Sequence, residues 1–185
     1  MHKTLFILIF SVLLLSGCAE KVARPATSYY MTNGLLTELL PLTELELTEQ
    51  VSLSGRFGGE EHTVLSIISF TPEKLIIAAV SGFVKLFVIE YAEDSVRYEL
   101  SSLVSIKNFE PEYIVSDVQF ICYPLSSLQQ LLPRNVSVLE TEADGIRTRL
   151  FYHGSYNFAF ATYLPDGTRL YENLERGYKY RMERL

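Results

Sequence analysis

From Leu45 onward the chain is written mostly in period two. Leu45, Leu47, Val51 and Leu53 share one parity, with Glu44, Glu46, Thr48 and Ser52 on the other. Successive side chains of a strand point to opposite faces, so this pattern predicts a half-buried strand. Gly55, Gly58 and Gly59 then predict a turn. Thr63–Phe70, Leu75–Val80, Val84–Tyr91 and Val96–Leu100 read as further strands, the last two joined by Ala92-Glu93-Asp94-Ser95. Short, β-branched runs separated by turn residues predict antiparallel pairing of neighbours. Further on, Ile146, Thr148, Leu150 and Tyr152 alternate with Arg147 and Arg149, which read as a solvated face. Tyr156, Phe158 and Phe160 alternate with Asn157, Ala159 and Ala161, and Pro165-Asp166-Gly167 signals a hairpin. The closing strand is the cleanest: Tyr178, Tyr180 and Met182 against Lys179, Arg181 and Glu183.

The period changes at Pro111. Ile114, Val118 and Ile121 stand at i, i+4 and i+7, and Leu125, Leu128 and Leu132 at i, i+3 and i+7. Pro124 separates these two short amphipathic helices and Pro133 ends the second. Leu35, Leu36, Leu39 and Leu40 read as a helical turn stopped by Pro41. The expected fold is therefore mainly β with α (α+β): a curved antiparallel sheet or half-open β-barrel with a short helical hairpin as lid. An apolar sheet face has to be covered. What two short helices leave uncovered is an apolar groove; if they leave nothing, the core is closed. The candidate ligand-binding residues are Phe70, Leu86, Val88, Phe158, Phe160 and Tyr180, with the inward parity left open.

The N-terminus sets the compartment. Lys3 precedes an apolar run from Leu5 to Leu15, the length of a signal h-region and short for a membrane span. Leu15-Ser16-Gly17-Cys18 resembles the lipobox of bacterial lipoprotein precursors, which implies cleavage before Cys18 and acylation of its thiol. Several acyl chains make a stable anchor, at about 0.8 kcal/mol per buried methylene. Ala19 rather than aspartate after the cysteine points to the periplasmic face of the outer membrane. The expected organisation is a signal peptide over 1–17, a lipidated tether over 18–33 and one β-rich domain over 34–185. With Cys18 acylated, Cys122 has no disulfide partner and reads as a small core residue.

A wider resemblance rests on Glu49-Gln50, Gly55, Val80-Ser81-Gly82-Phe83, Asp117-Val118-Gln119, Tyr123-Pro124-Leu125-Ser126-Ser127-Leu128, Arg149-Leu150-Phe151 and Leu174-Glu175-Arg176-Gly177-Tyr178-Lys179-Tyr180. In this order and spacing, over residues 34 to 185, they resemble a family of uncharacterised bacterial lipoproteins encoded with aryl polyene biosynthesis genes. That family usually has tryptophan where this chain has Tyr123. More distantly the layout is similar to the outer-membrane lipoprotein localisation factor (LolB-like), a half-open barrel with a helical lid over an acyl-binding cavity. The resemblance implies a membrane-contact loop at Val80 and Phe83; the alternative is that Phe83 packs on the sheet edge.

A net charge of −6 with dispersed Lys and Arg argues against nucleic acid. His62 and His153 are far apart and read as solvated turn residues, so no metal site is expected. No serine sits in a nucleophile elbow, and Gly55–Gly59 lacks the features of a phosphate loop. The expectation is a non-enzymatic, cofactor-free monomer that binds an acyl or polyene chain, with a periplasmic carrier protein as a further partner. The alternative is a structural adaptor of an envelope biosynthesis complex, and a hydrolase of thioesterase type is the weakest reading.

Overall fold

In the computed structural model, β4 (Leu47–Phe57), β5 (Glu60–Phe70), β6 (Leu75–Ser81), β7 (Val84–Ala92) and β8 (Ser95–Leu100) follow one another as an antiparallel meander. The structure describes residues 20–25, 28–57, 60–93, 95–102 and 110–185, without the side chains of 20–25, 55–57 and 60–62. A second meander comprises β9 (Val136–Ala143), β10 (Ile146–His153), β11 (Tyr156–Tyr163), β12 (Arg169–Asn173) and β13 (Tyr178–Arg184). Pairing of β13 with β4 fuses the two, and β1 (Glu20–Pro25) adds to β8. The result is one 11-stranded antiparallel sheet with β1 and β9 at its edges, open rather than closed into a barrel.

Antiparallel partners share a face, so the register identifies the inner one. It runs from Ile89 through Ile77, Ile68 and Glu49, and from Ala79 through Ser66 and Val51. Beyond the β4–β13 junction it continues through Met182, Tyr180, Tyr171, Ala161, Arg149 and Glu140. Two helices follow β8: α1 (Pro111–Cys122) and, after Pro124, α2 (Leu125–Leu131). Helix α1 contacts both β8 and β12, which are six strand spacings apart. In a flat sheet those strands would be about 29 Å apart. A helix is only about 10 Å wide, so the sheet must curl around α1.

Several expectations are corrected here. Much of the expected tether is structured: residues 20–25 are β1, and β2 (Ser28–Thr32) pairs with β3 (Leu35–Glu38) in a separate hairpin. The expected helical turn at Leu35–Leu40 is therefore mostly β3. The missed signal is Asn33-Gly34, a hairpin dipeptide whose glycine sits at φ +79°. The hairpin forms because Tyr29 and Met31 bury their side chains on one face. Strand β9 was not foreseen; its residues beyond Glu140 are exposed, and it holds as the edge partner of β10.

Candidate functional site

Helix α1 carries the chemistry of the concave face. It is buried nearly all round, from Pro111 and Glu112 through Val115–Ile121. Phe120 stacks on Phe151 with centroids 4.5 Å apart and meets Phe158 edge-on, while Tyr123 packs against Phe70. These rings account for much of the apolar burial that holds the helix.

Several polar side chains on the same helix are buried and hydrogen-bonded, while Gln119 Oε1 has no partner among the described residues. Asp117 is buried, and its Oδ2 accepts a 2.7 Å hydrogen bond from Tyr178. Tyr171 and Tyr180 face the same carboxyl, and Tyr171 Oη has no hydrogen-bond partner among the described residues. Burial pushes the Asp117 carboxyl up to about 7, against the lowering effect of the Tyr178 hydrogen bond. Next to it, Ser116 shares a 2.6 Å hydrogen bond with Tyr29 of β2, whose hydroxyl is pushed well up by burial. Gln119 donates to the Leu40 carbonyl at 2.7 Å, and Tyr123 donates to the Pro41 carbonyl at 3.0 Å. Arg176, in the β12–β13 turn, lies 3.4 Å over the Tyr113 ring and donates to the Tyr30 carbonyl.

The C-terminal end of α1 is held by Arg149. One Nη donates to the carbonyls of Phe120 and Tyr123 at 2.9 Å each, and Nε and the other Nη grip Glu140. A cation there also meets the negative end of the helix dipole. Tyr163 donates to the Ile121 carbonyl at 2.7 Å, and Arg169 pairs with buried Glu49. Losing the one hydroxyl in Tyr163→Phe is expected to lower unfolding free energy by about 1 kcal/mol, read from denaturant titration. Arg149 overturns the expectation of a solvated face on β10. Phe151 fixes the inward parity, Arg149 shares it two residues earlier, and the partners that neutralise it are distant in sequence.

Of the candidate ligand residues, Phe70, Phe158 and Tyr180 lie on the inner face under or beside α1. Val88 shares the opposite parity with Ala78 and Glu99. Phe160 also has the opposite parity to inward Ala159 and Ala161, because Phe158 is an extra residue at a β-bulge. Leu86 is likewise the extra residue of a bulge, half-buried against the core. Val80 is half-buried beside that bulge, and Phe83 stands fully exposed at the tip of the β6–β7 hairpin, so it does not pack on the sheet edge. Cys18 lies outside the described residues.

Asp117 is not placed with His153, whose Nε2 is bonded to Asn135 at 2.9 Å. The His62 side chain is outside the described ones. Among the described residues no cluster of three or more His, Cys, Asp or Glu is placed to hold a metal ion. Half-buried Cys122 has its thiol pushed up to about 12 by burial, which makes it a poor nucleophile. A pocket of about 330 Å3 lies between Leu42, Pro72, Glu73, Tyr91 and Glu93, at the turns that join β5 to β6 and β7 to β8.

Residues 48–185 match a family described as "Protein of unknown function (DUF3261)". The chain belongs to this family. The matched span includes α1, β5 to β13 and β4 from Thr48 on, and so the Asp117 and Arg149 networks, but not Tyr29 of β2. A search of curated proteins gave no significant match.

Proposed function

We propose that this DUF3261 protein is a non-enzymatic envelope lipoprotein, tethered through Cys18 at the periplasmic face of the outer membrane. It takes up a hydrophobic acyl or polyene chain and assists the placement of lipid or lipoprotein in that membrane. The observation that carries this reading is the β6–β7 hairpin. Phe83, at its tip, is 109% exposed; Val84 next to it is exposed too, as is Leu65, which pairs with Val80 of the same hairpin. A large apolar ring held out in solvent at a hairpin tip is suited to burial at a membrane interface. Burying one phenylalanine ring in lipid contributes about 1.5–3 kcal/mol.

The cargo follows from the resemblance to lipoproteins encoded with aryl polyene genes and, more distantly, to the LolB-like localisation factor. In this reading α1 and α2 act as the lid. A chain that reaches Phe70, Phe158 and Tyr180 displaces α1, which covers them. One observation favours the second reading, an adaptor with a closed core: α1 already fills the concave face, where Asp117 and the carbonyls at its C-terminal end find partners.

Cosedimentation with phosphatidylethanolamine–phosphatidylglycerol vesicles tests the membrane contact, using mature protein with Cys18→Ser to remove the anchor. Phe83→Ser is expected to weaken binding about tenfold or more, from the burial energy lost, with unchanged unfolding. Equal sedimentation of both proteins contradicts the reading.

A further inference from the structure

The register of three strands fixes where the lipid anchor emerges. Glu20 of β1 pairs with Leu100 of β8, and Leu100 pairs with Phe87 of β7. Glu20, Leu100 and Phe87 therefore form one row across the sheet, and Ser101 N–H donating to the Leu86 carbonyl extends it. Cys18 precedes Glu20 by two residues, so it is at most about 7 Å away. Strand β1 is antiparallel to β8, so the chain before Glu20 leaves at the end where β7 begins. From Phe87 back to Phe83 is four residues, about 13 Å along the same direction, and β1 and β7 are about 10 Å apart sideways. The anchor and the exposed ring thus emerge at one end of the molecule.

A second apolar patch lies at that end. The β12–β13 turn leads into Tyr178, and Tyr180 pairs with Gly55 near the top of β4, so this turn is level with the β6–β7 hairpin. Arg176 and Glu175 of the turn bond Tyr30 and Thr32 of the β2–β3 hairpin. Exposed Tyr30 and Leu36, paired across that hairpin, stand there with exposed Leu174. The far end carries Glu73 and Glu93 at its turns.

We infer that the domain stands end-on upon the leaflet that holds its own anchor, with Phe83, Tyr30, Leu36 and Leu174 as its footing. The occupant of both patches is that leaflet and not a second membrane. The inference rests on acylation of Cys18 and on the membrane contact proposed above. With so short a lead from Cys18 to β1, the anchor confines the footing near lipid from the start, and each apolar contact then adds as an intramolecular one.

The test uses full-length acylated protein in phosphatidylethanolamine–phosphatidylglycerol vesicles, with Cys122→Ser to leave one label site. An environment-sensitive dye is placed at Ser81→Cys beside the tip, or at Glu73→Cys at the opposite end. A lipid quencher is supplied either in the vesicles that hold the protein or in a second, protein-free population. The expected result is loss of Ser81-site emission only with quencher in the same vesicles, reduced by Phe83→Ser, and no loss at the Glu73 site. Quenching only from the second population overturns the inference while the membrane contact survives. Quenching at the Glu73 site but not the Ser81 site overturns the orientation. Absence of quenching at both sites from both populations overturns the inference and the membrane contact together.

Discussion

Arg149→Ala is expected to destabilise the domain by about 3–5 kcal/mol, the range for removing one partner of a buried charge pair. The Arg149 side chain is only 4% exposed and that of Glu140 16%. Truncation leaves Glu140 without its forked partner and leaves the Phe120 and Tyr123 carbonyls without a donor at a buried helix end. Arg149→Lys is expected to recover only part of this loss. A single ammonium keeps the charge but cannot serve both carbonyls and the carboxylate in one plane. Urea midpoints of the three proteins decide the matter, and a loss below about 1 kcal/mol would mean that the fork is not what seats α1.

Asp117→Asn is expected to remove most of a pH dependence that the wild-type domain shows between about pH 4 and 7. The carboxyl titrates near 3.9 in an unfolded chain. In the folded protein burial raises it to about 7. In that window the folded state keeps a proton that the unfolded state has released, so stability falls as pH rises. The contribution is present in full below the unfolded value and gone above the folded one. A shift of this size corresponds to on the order of 4 kcal/mol. The groups facing Asp117 are Tyr178 and Tyr180 of β13, Tyr171 of β12 and Arg176 of the following turn. Burial pushes the three tyrosines up, so they stay neutral throughout. Asparagine can still accept the Tyr178 hydrogen bond. The variant should therefore match wild type near pH 3–4 and exceed it at pH 8; parallel stability curves would contradict this assignment.

Legibility of the fold in the sequence followed locality. Strands β5 to β8 and β13 were readable because each carries its own alternation and ends at its own turn. Both helices were bracketed by Pro111, Pro124 and Pro133. Failures came where a partner distant in sequence decides. The strand character of Leu35–Glu38 depends on Tyr29 and Met31 across the Asn33-Gly34 turn. The parity of Phe160 depends on an extra residue in β11 that alternation alone conceals. At the site, Tyr178 and Tyr180 stood out as one face of the last strand, but nothing local joins them to Asp117. The one available hint was an acidic residue among the apolar positions of α1, a helix with few polar positions. Arg149 misled for the same reason, since its ligands are carbonyls at the end of a helix that precedes it by 26 residues or more.

The central claim is that the concave face accepts a hydrophobic chain when α1 gives way. Native mass spectrometry tests it most directly, on the mature protein with Cys18→Ser purified from cells that make the envelope lipids. The account predicts an additional acyl or polyene mass at one per protein, exchangeable for an added fatty acid. An apo mass alone, with no uptake of fatty acid at pH 5 or pH 8, would contradict it and leave the closed-core adaptor.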